Sequence, residues 1–126
     1  MIMMTCNVLC GPITDKKEKK VLFLSLYKKA FDVMVTGEKS DEFRTPSKWI
    51  KSRLLNKDGS VRKYDLVKFI NGFGDHRPFF VVEYEELCTL AENITLKYSN
   101  GLSIDLQEGD YVIRLGDVIE KGNLNK

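Results

Sequence analysis

The segment Gly37-Glu38-Lys39-Ser40-Asp41-Glu42-Phe43-Arg44 has the form G-x-K-x-x-E-x-R and gathers an ammonium, a carboxylate and a guanidinium within eight residues. A strand beginning at Asp41 sends alternate side chains to opposite faces, so Glu42 and Arg44 share one face and Phe43 takes the other. Lys39 sits at the turn just before. Such a group can hold one polar ligand. A lysine is a point cation for phosphate, and an arginine presents a two-pronged fork to phosphate or to a base edge. Glu42 can accept from an exocyclic amine or hold Arg44 in place. The same charges can also form a plain surface pair worth about 0–1 kcal/mol, with Lys39 answering the end of a helix. Spacing alone leaves both readings open.

The flanking elements must position these groups. Val21-Leu22-Phe23-Leu24-Ser25-Leu26 is a short apolar run of strand length. Residues 28–36 then change period, with Ala30, Phe31, Met34 and Val35 on one helical face and Gly37 as the stop. Ser47 is placed to cap a second helix, in which Trp49, Ile50 and Leu54 are expected to point inward. Residues 56–60 read as a turn. Strands are expected at 65–70 and 79–85, separated by the glycine loop Asn71-Gly72-Phe73-Gly74-Asp75-His76-Arg77-Pro78, and a short helical turn at 87–93. Residues 94–98 and 102–106 alternate around Asn100-Gly101, a type I′ hairpin signal. A last strand is expected at 111–115. The pattern predicts an α+β domain with a mostly antiparallel sheet. Closing such a sheet into a small barrel flanked by two or more helices would remove its edges.

A chain of 126 residues suits one domain with a sizeable core. Residues 1–20 read as a leader, broken by Gly11-Pro12 and ending in the lysine-rich run 16–20, with the domain proper spanning 21–126. The leader lacks a basic start and a small-residue cleavage site, so it makes a poor signal peptide. No stretch has the length and apolarity of a membrane span. Cys6, Cys10 and Cys88 lack C-x-x-C spacing, and His76 is the one histidine. Reduced thiols, a cytoplasmic setting and no metal or cofactor are the expectation. Between Arg44 and Lys63 seven basic residues face Asp58 alone, whereas between Glu83 and Glu120 nine acids face Lys97 and Arg114. Such a division suits an anionic partner on one side of the molecule, although a solvated helix and loop would look the same.

Taken together, the run Leu24-Ser25-Leu26-Tyr27-Lys28-Lys29-Ala30-Phe31, the G-x-K-x-x-E-x-R segment and Trp49-Ile50-Lys51-Ser52-Arg53-Leu54 resemble the ASCH domain family of the PUA-like superfamily. The likeness extends through Phe69-Ile70-Asn71-Gly72-Phe73-Gly74, Arg77-Pro78, Val82-Glu83 and Tyr111-Val112-Ile113-Arg114-Leu115-Gly116, and covers roughly residues 21–120. It implies a small PUA-like β-barrel with helices packed around it, a cleft lined by the motif, and RNA or a nucleoside or nucleotide as partner. The ligand-binding residues it suggests are Lys39, Glu42 and Arg44, joined by Tyr27, Asn71 and Arg77. Tyr27, Trp49, Phe73 and Tyr84 are candidate stacking surfaces, with core packing as the alternative for each. Glu83 can line the cleft or fix the loop.

Relatives of this kind include hydrolases of N4-acylated cytidines, which use the motif lysine as base and a threonine three residues later as nucleophile. Here that position is Glu42, so the mechanism does not transfer intact, although Lys39 and Glu42 could activate a water. A metal-independent ribonuclease using Ser25, Tyr27 and Lys39 is a further alternative.

Overall fold

The computed structural model describes residues 4–7 and 19–124. Among them the chain is α+β, mostly strands with two helices: β1 (Met4–Asn7), β2 (Val21–Leu26), α1 (Lys28–Val35), β3 (Asp41–Arg44), α2 (Lys48–Leu54), β4 (Leu66–Asn71), β5 (Phe79–Leu90), β6 (Ile94–Lys97), β7 (Ser103–Leu106) and β8 (Tyr111–Gly122). Within the stretch read as a leader, β1 adds antiparallel to the end of β5; the lysine-rich run lies mostly outside the described residues.

The main sheet runs β2-β4-β5-β8-β3, and β6 and β7 pair with each other in a separate ladder. The sheet is mixed: β2 and β4 are parallel and the remaining pairs antiparallel. A parallel pair needs a crossover, and α1, β3 and α2 all lie within it. β5 carries β8 along one edge, and β4 then β1 along the other. Register shifts between Val81 and Glu86 interrupt its ladder with β8, and such bulges bend a strand. No backbone ladder joins β2 to β3 among the described residues, so the sheet is open by hydrogen bonding. Its two end strands nevertheless meet through one side chain, because Arg44 Nη2 in β3 donates to the Ser25 carbonyl in β2 at 2.9 Å.

The main core lies between one face of this sheet and the helices. Phe31 and Met34 of α1, with Ile50 and Leu54 of α2, meet Leu22, Leu24, Val67, Phe69, Phe80 and Ile113. Phe80 stacks on Phe69 and meets Phe31 edge-on, and burying each such side chain is worth about 1.5–3 kcal/mol. Tyr84 lies over Tyr64 with its hydroxyl buried and without a hydrogen-bond partner among the described residues, and desolvation pushes its pKa up to about 12. Successive β8 residues face opposite ways, so Val112 joins a second cluster with Cys88, Leu90 and Leu106, against which Phe43, Ile94, Leu96 and Ile104 pack. The β6–β7 hairpin thereby covers the other face.

Four expectations need correction. Trp49 is 50% exposed rather than inward. In α2 the buried residues are Ile50 and Leu54, one i,i+4 row. Trp49 begins the neighbouring row and carries the Arg53 guanidinium over its ring at 5.1 Å. Residues 87–90 belong to β5 rather than to a helical turn, held by β1 and β8 on either side. The hairpin turn is not type I′, because only Gly101 has positive φ and Asn100 does not. Tyr98 and Leu102 instead close a three-residue loop. Cys88 is disulfide-bonded rather than a free thiol, and Cys6 stands opposite it in the β1–β5 register. No described helix is long and apolar enough to cross a membrane.

Candidate functional site

The motif begins where α1 stops. Gly37 has φ +89° and donates to the Met34 carbonyl, and the Lys39 amide donates back to the Val33 carbonyl at 2.9 Å. That fold-back drives the Lys39 side chain inward, where it is 3% exposed. Its three ammonium protons have three acceptors: Glu42 Oε1 at 3.2 Å, the Asp41 carbonyl, and Met34 Sδ at 3.5 Å. The Phe43 ring centroid lies 4.9 Å from the same nitrogen.

Glu42 is 4% exposed and lies between two cations. Its Oε2 accepts from Arg44 Nε at 2.7 Å, and Arg44 Nη2 is equally close. Strand alternation puts Glu42 and Arg44 on one face, as expected. That face is also the main-core face, since their register partners are Ile113 and Tyr111. The gross Lys39–Glu42 attraction is about 5 kcal/mol at an effective dielectric of about 20, against several kcal/mol for desolvating each ion. The cluster therefore contributes placement more than net stability. Burial lowers the Lys39 pKa, opposed by the Glu42 charge. Burial also raises the Asp41 carboxyl pKa, opposed by Arg114 and Lys39.

The cluster opens into a cleft of about 310 Å³ between β3, the end of β2 and the hairpin. Ser25, Tyr27, Lys39, Glu42 and Arg44 line one side, and Ile104, Asp105, Leu106 and Asp110 the other. The Arg44 side chain is 24% exposed, so of the three charged motif groups it offers the most surface. Tyr27, at the N-cap of α1, is 92% exposed at the rim.

Asn71 and Arg77 are not among the lining residues. Asn71 pairs with Leu26 in the β2–β4 register, and its carbonyl accepts from Arg77 Nε at 2.8 Å. The guanidinium packs over Gly72, where a Cβ would come within 3.2 Å of it, so Arg77 closes the glycine loop upon itself. Phe73 projects from that loop into solvent. Glu83 Oε1 accepts from the Asp117 amide at 2.9 Å, which makes it a bracket at the irregular stretch of β5.

Two features escape sequence reasoning. Asp110 is 8% exposed, yet it closes a Gln107-Glu108-Gly109-Asp110 segment that reads as an ordinary surface turn. Glu38, which the motif leaves unspecified, grips the hairpin tip: its two oxygens accept from the Ser99 hydroxyl at 2.6 Å and the Ser99 amide at 2.7 Å. Asn100 adds a bond to the Lys29 carbonyl. Nothing local marks either contact, because the partners lie 61 and 71 residues apart.

No family model, curated protein or solved structure matches the chain.

Proposed function

We propose that the chain is an RNA- or nucleotide-binding module of ASCH/PUA-like type, whose bent sheet is the counterpart of that family's barrel and whose ligand enters the cleft beside Arg44. The observation that carries this reading is the buried Lys39–Glu42–Arg44 cluster, which presents one guanidinium edge to an open cleft. Lys39 and Glu42 hold that edge in a fixed direction, and a fixed edge can pair with a base or phosphate at little ordering cost. Tyr27 offers an exposed ring at the entrance for stacking. The basic residues Lys48, Lys51, Arg53 and Lys57 follow β3 in the chain, on α2 and the turn after it, and supply exposed positive charge of the kind a phosphodiester chain pairs with.

Binding is favoured over hydrolysis by the state of Lys39. Burial weakens its basicity, yet Glu42, Asp41 and Met34 hold all three of its protons. A general base needs a lone pair turned toward substrate.

Titration of a fluorescent single-stranded RNA tests the reading. Tyr27→Ala removes an exposed ring with little cost to the fold, and is expected to weaken binding about tenfold, within the roughly 1–3 kcal/mol of one base stack. Affinity should also fall as salt rises. Unchanged affinity with the native circular dichroism spectrum would remove the cleft from the binding surface.

A further inference from the structure

We propose that Asp110 sets the specificity of the cleft: its carboxylate accepts a hydrogen bond from an exocyclic amino group, so the site takes amino-bearing heterocycles in preference to their keto counterparts. The proposal rests on the nucleotide-binding reading above and adds the chemical class of base.

Three observations lead there. The first is the charge around the cleft. Its lining carries two cations, Lys39 and Arg44, against three carboxylates, Glu42, Asp105 and Asp110. Both cations already face Glu42. A phosphate inside would meet the two remaining carboxylates, whereas a neutral ring with donors on one edge would not be repelled. The phosphate is better placed outside the cleft.

The second is the state of Asp110 itself. Only one of its oxygens has a protein donor among the described residues, Oδ2 accepting from the Gln107 amide at 2.9 Å. Oδ1 has none, although the residue is more than nine-tenths buried and lines the cleft. That oxygen is left to accept from a ligand N–H entering the cleft. The exposed Asp105 is already engaged through Oδ1 with the Thr95 hydroxyl at 2.7 Å.

The third is Arg44. Nε and Nη2 are committed to Glu42 and the Ser25 carbonyl, and Nη1 has no protein acceptor among the described residues. The cleft thus offers a donor from β3 and an acceptor from the residue just before β8. Adenine and cytosine present an amino group beside a ring acceptor and match that pair. Hypoxanthine and uracil place a keto oxygen where the amino group would be, against the Asp110 carboxylate.

The experiment is calorimetric titration of the full chain with AMP, CMP, IMP and UMP. AMP and CMP are expected to bind about tenfold or more tightly than IMP and UMP, the discrimination of one well-placed pairing. Asp110→Asn keeps an oxygen for the Gln107 amide, so the turn should persist and the melting temperature should hold. In that variant the preference should collapse or invert, while Glu108→Gln, on the exposed turn outside the cleft lining, should leave it intact. Equal binding of all four by the wild type, or an unchanged preference in Asp110→Asn, overturns the proposal and leaves the binding reading standing. Absence of binding by all four and by single-stranded RNA overturns both.

Discussion

Glu42 is the hub of the site, with Lys39 on one oxygen and Arg44 on the other. A buried ion group adds little net stability while intact, but losing its central member leaves two cations facing each other in a poorly solvated place. Glu42→Ala is accordingly expected to cost about 3–5 kcal/mol, read as a lower urea midpoint at unchanged slope. A loss below about 0.5 kcal/mol would place the group among ordinary surface ion pairs. Alternation was enough to put Glu42 and Arg44 together and Phe43 opposite. It could not tell that both faces of β3 are covered, since Phe43 packs under the hairpin while Glu42 lies in line with Ile113. For the same reason Lys39 reads from sequence as a free cation, and its three internal acceptors come into view only when the turn after α1 folds back. Asp110 was illegible because a turn residue and a cleft carboxylate look alike until the far wall is in place.

Among the elements, those with a clear period and a local stop were legible. α1 stops just before Gly37 and α2 starts just after its cap Ser47, whose hydroxyl accepts from the Ile50 amide at 3.1 Å. Elements defined by distant partners were not. β5 continues through Leu90 because β1 and β8 flank it, and the hairpin loop is shaped by its grip on α1 and Glu38. That grip has a measurable effect. The hairpin supplies one wall of the cleft, yet among the described residues it pairs with no strand of the main sheet. Glu38→Ala should remove both Ser99 bonds and speed amide exchange at residues 98–102, while β4 and β5 keep their protection. Unchanged exchange at Ser99 would mean that the apolar contacts of Leu96 and Ile104 hold the hairpin without Glu38.

On the scale of the whole molecule, the strand-rich α+β character was readable from turn signals and alternation, and the charge division lay directly in the sequence. Two things were not readable: the parallel pairing of β2 with β4, which requires knowing that α1, β3 and α2 together form one crossover, and the extent of closure. A barrel was expected because closure removes edges, whereas the described sheet stops one ladder short and is fastened by Arg44 to the Ser25 carbonyl.

That single fastening matters for solubility. A backbone ladder spreads its hold over many bonds, but among the described residues one guanidinium hydrogen bond joins the two unladdered strand margins. Arg44→Ala would free both margins to recruit other copies of the chain, as unprotected sheet edges do. Light scattering should then rise with protein concentration, well before any loss of helical signal, and a variant as monodisperse as its parent would show that the margins are shielded by something other than Arg44.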